Sequence, residues 1–192
     1  MPEEEQSFER IGAALKKAAA ALRDAEVPFL LGGGLASWAR GGPETRNDLD
    51  LMLKPEDAER ALDVLSEAGM RPERPPEGWL FKAWDDDVQI DLIFRPRGLE
   101  MTDEVIGRGE ELEVLATPLL VMAIEDVIAC KLHAMEEREL DYSGVLQIAR
   151  ALREQIDWDI VRADTEDNPF AQAFFVLVDE LGIAPAATAG EG

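Results

Sequence analysis

Val27-Pro28-Phe29-Leu30-Leu31-Gly32-Gly33-Gly34-Leu35-Ala36, followed by Thr45-Arg46-Asn47-Asp48-Leu49-Asp50-Leu51, is the stretch that decides the fold. A short apolar strand runs into three glycines, and Leu35–Arg40 then has helical composition until Gly41-Gly42-Pro43 stops it. Asp48–Leu53 reads as a second strand. Glycines between a strand and a helix start let backbone N–H groups approach phosphate oxygens; they equally make a tight turn without a ligand. Residues i and i+2 of a strand share a face, so Asp48 and Asp50 project together. In a chain this acidic, the same pair also reads as one turn-end and one strand-edge acid.

Outward from this stretch, Ile11, Ala14, Leu15, Ala18 and Leu22 recur at helical spacing, which predicts an amphipathic helix over residues 7–25. Downstream, Pro55 starts a helix carrying Ala58, Ala61, Leu62, Leu65 and Ala68. Arg71–Gly78 reads as a loop. Trp79–Trp84 and Val88–Phe94 flank an acidic turn and predict a hairpin. Arg95–Gly109 reads as a further loop and Glu111–Leu115 as a possible strand. From Thr117-Pro118, a cap and first-turn signal, the chain reads as helical. The expected class is α+β, a mixed sheet with flanking helices followed by C-terminal helices. The expected divisions are a core at residues 1–116, a helical region at 117–183 and a tail at 184–192.

The chain has 192 residues, of which 46% are hydrophobic, with 41 Asp+Glu against 19 Lys+Arg and a formal charge of −22. The apolar content excludes a disordered chain. A single cysteine, Cys130, excludes an intramolecular disulfide, and with a single histidine, His133, it leaves too few soft ligands for an ordinary zinc site. Both read as packing residues. The acidic start lacks the basic and apolar regions of a signal peptide. No apolar run approaches the ~20 residues that span a bilayer, so the expectation is a cytoplasmic protein with no membrane partner. The charge disfavours nucleic-acid binding over the whole surface, although Arg71, Arg74, Arg95, Arg97 and Arg108 could form a local path for RNA phosphates or be solvated loop charge.

Asp91 sits in Gln89-Ile90-Asp91-Leu92-Ile93, an acid inside an apolar strand, which is costly unless compensated. Carboxylates from neighbouring strands suit hard cations with oxygen ligands, Mg²⁺ or Mn²⁺. Gly33-Gly34-x-Ala36, Thr45-Arg46, Asp48-x-Asp50 and Asp91 together resemble the DNA polymerase β-like nucleotidyltransferase superfamily over residues 27–94. The run from Gly33 to Asp50 is similar to the small antibiotic nucleotidyltransferases, with Asn47 where their motif usually has histidine. Glu125–Ala134, with Lys131 on its helix, is similar to the AbiEii-type nucleotidyltransferase toxins. Leu140-Asp141-Tyr142-Ser143-Gly144 lacks the basic residue and second aspartate of their signature.

The resemblance implies transfer of a nucleoside monophosphate from an NTP to an acceptor hydroxyl, with two Mg²⁺ (or Mn²⁺) ions. It implies that Asp48 and Asp50 bind both metals and that Asp91 binds the one nearest the acceptor. Gly33, Gly34, Thr45, Arg46 and Lys131 would meet the triphosphate; Lys131 also reads as a lysine whose stem covers an apolar helix face. The expected acceptor is tRNA or another macromolecule, as in the toxin branch and with an antitoxin as possible partner. The alternatives are a small hydroxylated compound such as an aminoglycoside or lincosamide, and a non-catalytic toxin–antitoxin interaction module.

Overall fold

The computed structural model describes residues 2–45 and 49–184, the side chains of residues 2–7 excepted. Helix α1 (Pro2–Asp24) buries Ile11, Leu15, Ala18 and Leu22, and each fully buried Leu or Ile there is worth roughly 1.5–3 kcal/mol. Then come β1 (Leu30–Leu31), α2 (Gly33–Ala39), β2 (Leu49–Met52), a 3₁₀ turn at Pro55–Asp57, α3 (Ala58–Glu67) and β3 (Arg71–Glu73). The hairpin β4 (Leu80–Asp85) and β5 (Val88–Ile93) follows, then α4 (Asp103–Gly107), β6 (Glu110–Val114) and β7 (Thr117–Val121). Four helices complete the described chain: α5 (Ile124–His133), α6 (Ser143–Leu152), α7 (Trp158–Asp164) and α8 (Pro169–Glu180).

The seven strands form one mixed sheet in the order β3-β4-β5-β2-β1-β7-β6. β2 runs parallel to β5 and antiparallel to β1, while β1 runs parallel to β7. Alternation along the central strands separates two faces. Leu49, Leu51, Ile90, Leu92 and Ala83 are buried on one of them, where α1 and α3 pack. Asp50, Met52, Asp91 and Ile93 occupy the other. The hairpin turn is the pair Asp86-Asp87, with Asp86 at φ +53°, and it is held to α1 by Lys17–Asp85 and Arg10–Asp87 ion pairs, each at 2.5 Å.

Three expectations are corrected. Arg71–Glu73 is an edge strand and not loop; its arginine, proline and glutamate suit an edge that must not recruit another strand. Asp103–Gly107 is a helix inside the expected loop, capped by the Thr102 side chain, which accepts from Val105 N at 3.3 Å. Thr117–Val121 is strand rather than helix start, and the C-terminal helices begin at Ile124. Pro118 is tolerated because the register with β1 reaches only Val121, so its missing N–H removes no bond on that side. The strand expected from Val27 is two residues long, and Asp48 lies outside the described residues.

In the C-terminal region, α5 packs against α6, α7 and α8. Asp157 and Asn168 cap α7 and α8, each accepting two backbone N–H groups, and Pro169 takes the first turn of α8. His133 is part of this packing: Nε2 donates to Asp164 O at 3.0 Å and Nδ1 accepts from the Asn168 amide at 3.2 Å. A Cβ at Gly98 (φ +73°) would overlap the His133 ring, so that glycine lets the loop after β5 rest on α5. No helix among the described residues is long and apolar enough to cross a membrane.

Asp126, in the first turn of α5, is 1% exposed and accepts from Arg108 at 2.7 Å. Its Oδ2 has no hydrogen-bond partner among the described residues. Burial pushes its carboxyl above the usual aspartate range, with Arg108 opposing. Arg108→Ala strands this buried charge, and a loss of about 2 kcal/mol is expected at neutral pH, tempered by the partial exposure of Arg108. A group whose folded pKa is raised loses stability as pH rises through that value and regains it on acidification. The deficit of Arg108→Ala relative to the parent therefore narrows in urea melts at about pH 5 compared with about pH 7.5. An unchanged deficit would remove Asp126 ionisation as its cause.

Candidate active site

Asp50 and Asp91 are direct neighbours: the parallel register of β2 and β5 pairs Asp50 with Asp91 and Met52 with Ile93. Adjacent strands lie about 4.8 Å apart, so two carboxylates stand side by side on one sheet face. The hairpin register adds Lys82 opposite Asp91. Lys82 Nζ lies 3.8 Å from Asp91 Oδ1, and Gln89 Nε2 donates to the same oxygen at 2.8 Å.

The glycine turn closes on this row. Gly32 N donates to Asp50 O at 2.8 Å, tying the turn to β2. Gly33, at φ +57°, has the Asp50 carboxylate where a Cβ would be. Gly34 is similarly pressed by Thr45, whose Oγ1 would lie 2.5 Å from an added Cβ. Each glycine therefore admits one polar side chain of the candidate site.

Two clefts meet here. The larger, about 420 Å³, lies between the sheet face and α5 and is lined by Gly33, Asp50, Met52, Trp79, Ile93 and Lys131 among others. Glu136 and Glu139 also border it, and Arg97 pairs with Glu136 beside it. The smaller, about 210 Å³, is lined by Gly34, Ser37, Glu44, Thr45, Lys131 and Gln147 among others. Lys131 lines both. Cys130 lies on the larger cleft, but burial, with Asp126 as a lesser cause, pushes its thiol up to about 12, which makes it no nucleophile near neutral pH.

The structure thus gathers Gly33, Asp50 and Lys131 on one cleft and Gly34, Thr45 and Lys131 on the other, with Asp91 beside Asp50. Arg46 and Asp48 lie outside the described residues. Among the described residues, no group of three His, Cys, Asp or Glu side chains could by itself hold a metal ion. The Asp50–Asp91 pair is nonetheless a hard-oxygen donor set of the kind that divalent cations take. Lys82 and Gln89 were missed by the sequence reading. Counting from a two-residue turn at Asp86-Asp87 would have set Lys82 opposite Asp91.

The five arginines considered as an RNA path are largely engaged within the chain. Arg74 pairs with Glu59 at 2.8 Å, Arg71 lies 3.6 Å from Glu73, Arg97 pairs with Glu136 and Arg108 with Asp126. Arg95 lies over the Phe94 ring at 5.8 Å.

The fold is similar to that of the antibiotic-resistance factor ANT(2'')-Ia in solution, with a TM-score of 0.63 and 17% identity, covering 92% of this chain and 98% of that one. ANT(2'')-Ia in complex with adenylyl-2''-tobramycin gives a TM-score of 0.60 at 18% identity, covering 85% of this chain and 98% of that one. A putative nucleotidyltransferase from Thermotoga maritima gives 0.50 at 17% identity, covering 81% and 93%. At these identities the likeness is one of fold. No curated protein matches the chain in sequence. The family model described as uncharacterised nucleotidyltransferase matches residues 6–186, most of the chain, and the chain belongs to that family of nucleotidyltransferases.

Proposed function

We propose that this chain transfers a nucleoside monophosphate from an NTP to a hydroxyl of a small acceptor. A bond forms between the acceptor oxygen and the α-phosphorus, the α–β phosphoanhydride breaks, and pyrophosphate leaves. The observation that carries this reading is the meeting of two clefts at consecutive glycines and one lysine: Gly33 faces the larger, Gly34 the smaller, and Lys131 lines both. A donor and an acceptor held in such adjacent sites react as if in one molecule.

The smaller cleft, with Gly34, Thr45 and Lys131, suits the triphosphate, and the family resemblance alone adds Arg46. Lys131 supplies a local cation against the −22 charge of the chain. Asp48, Asp50 and Asp91 are proposed to hold two Mg²⁺ ions, with Mn²⁺ as substitute. Bound there, the ions would supply polarisation of the α-phosphate and acidification of the acceptor hydroxyl. Asp91, beside Asp50 on the same sheet face, would accept the hydroxyl proton.

The larger cleft favours a small acceptor over tRNA. Met52, Trp79, Ile93 and Val127 give it an apolar wall, its acids Asp50, Glu136 and Glu139 outnumber its cations Arg97 and Lys131, and Arg97 is already paired with Glu136. RNA phosphates would meet repulsion there, whereas a hydroxylated amine would be attracted.

Each α-labelled NTP, incubated with Mg²⁺ and either total tRNA or a panel of aminoglycosides and lincosamides, tests the reading. Label on a small acceptor supports it. Label on tRNA would keep the transfer and overturn the acceptor. Absence of both transfer and Mg²⁺-dependent NTP binding would sink the enzymatic reading of these clefts.

A further inference from the structure

We propose that Lys82 is a resident counter-cation of the Asp50–Asp91 pair, holding Asp91 on the site face and weakening the pair's affinity for a free divalent cation. The inference rests on the metal-binding reading of these carboxylates and assigns a control to that same site.

The register makes the argument. Glu73 pairs with Lys82, Lys82 with Asp91, and Asp91 with Asp50, so four strands carry an unbroken row of charged side chains across the sheet. Lys82 thus stands between two acids, and its ion pair is with Asp91, at 3.8 Å. Glu73 is engaged by others: its Oε2 accepts from Trp84 Nε1 at 2.8 Å and lies 3.6 Å from Arg71. The pairing is sheltered as well, with the Lys82 side chain 25% exposed and that of Asp91 14% exposed. Charges so placed are screened less than surface pairs.

Gln89 reaches the same Asp91 oxygen from two residues before it on β5. It fixes the carboxylate without neutralising it, because an amide carries no charge. Lys82 carries a charge that can neutralise it. Two in-register carboxylates repel one another, and a lysine beside them relieves that repulsion before any metal arrives. The same positive charge opposes a free divalent cation at the pair. An NTP-bound cation arrives with its charge offset by phosphates, so it meets less opposition. Lys82 thereby biases the pair towards metal delivered with nucleotide.

Mn²⁺ binding, followed by the electron paramagnetic resonance signal of the free ion, tests this without any turnover. Lys82→Met is expected to bind Mn²⁺ at least about five-fold more tightly than the parent, and Lys82→Arg to stay within about two-fold of it. Without metal, Lys82→Met should melt at a lower temperature than the parent, and saturating Mn²⁺ should restore the melt. Unchanged or weaker Mn²⁺ binding by a folded Lys82→Met, with the parent binding normally, overturns the role of Lys82 alone. Failure of both proteins to bind Mn²⁺ overturns it together with the metal reading of Asp50 and Asp91.

Discussion

Asp50→Ala is expected to lower nucleotide transfer by at least about 10³-fold while changing stability by no more than about 1 kcal/mol. The two effects separate because of where the side chain stands. Asp50 is half-buried on the site face of β2, next to Asp91, and its neighbours along the strand, Leu49 and Leu51, carry the packing on the opposite face. Removing one of two adjacent carboxylates relieves repulsion in the metal-free protein, which offsets the lost contacts. Label transfer and urea midpoints, measured on the same preparation, check both halves. Retention of more than about a tenth of the activity would exclude Asp50 from the machinery.

Gly33→Ala is expected to lose about 100-fold in transfer and about 2 kcal/mol in stability. The left-handed φ of +57° already costs an alanine roughly 1 kcal/mol. The new Cβ would also fall on the Asp50 carboxylate, which must move. Gly41→Ala is the control: its φ is +91°, but nothing among the described residues lies within 4 Å of an added Cβ, so the backbone cost is what remains and transfer is expected to be unaffected. In the double variant Gly33→Ala/Asp50→Ala, part of the stability loss should return, since the carboxylate that collided is gone. Strict additivity in urea melts would place the damage elsewhere than at this contact.

The elements most legible in the sequence were those in which pattern and tertiary setting agree. The hairpin Leu80–Ile93 has two apolar-rich runs around a turn, and α1 has an apolar stripe that meets a sheet face. The Asp50 strand was legible because alternating Leu49, Leu51 and acid fit a half-buried strand. The missed elements were those whose local signals conflict with their neighbours. Arg71–Glu73 is three charged or proline residues made into strand only by β4 beside it. Thr117-Pro118 carries a helix-start signature overruled by β6 along its length. Of the candidate site, the glycines and acids were singled out by the family resemblance rather than by spacing alone, whereas Lys82 becomes meaningful only once the hairpin register is counted.

The two-residue strand β1 has an engineering consequence. Its partner on one side, β7, comes from a segment some ninety positions later in the chain, and β7 leads directly into the helix that carries Lys131. A chain cut before Thr117 would leave Leu30-Leu31 as a bare apolar rim, open to pairing with another copy. Sheet and helices therefore cannot be exchanged at that point like separate cassettes. A chimera that borrows another protein's C-terminal helices has to keep Thr117–Val121 with the rest of the sheet and make its junction at Met122-Ala123, after the last strand and before the first borrowed helix.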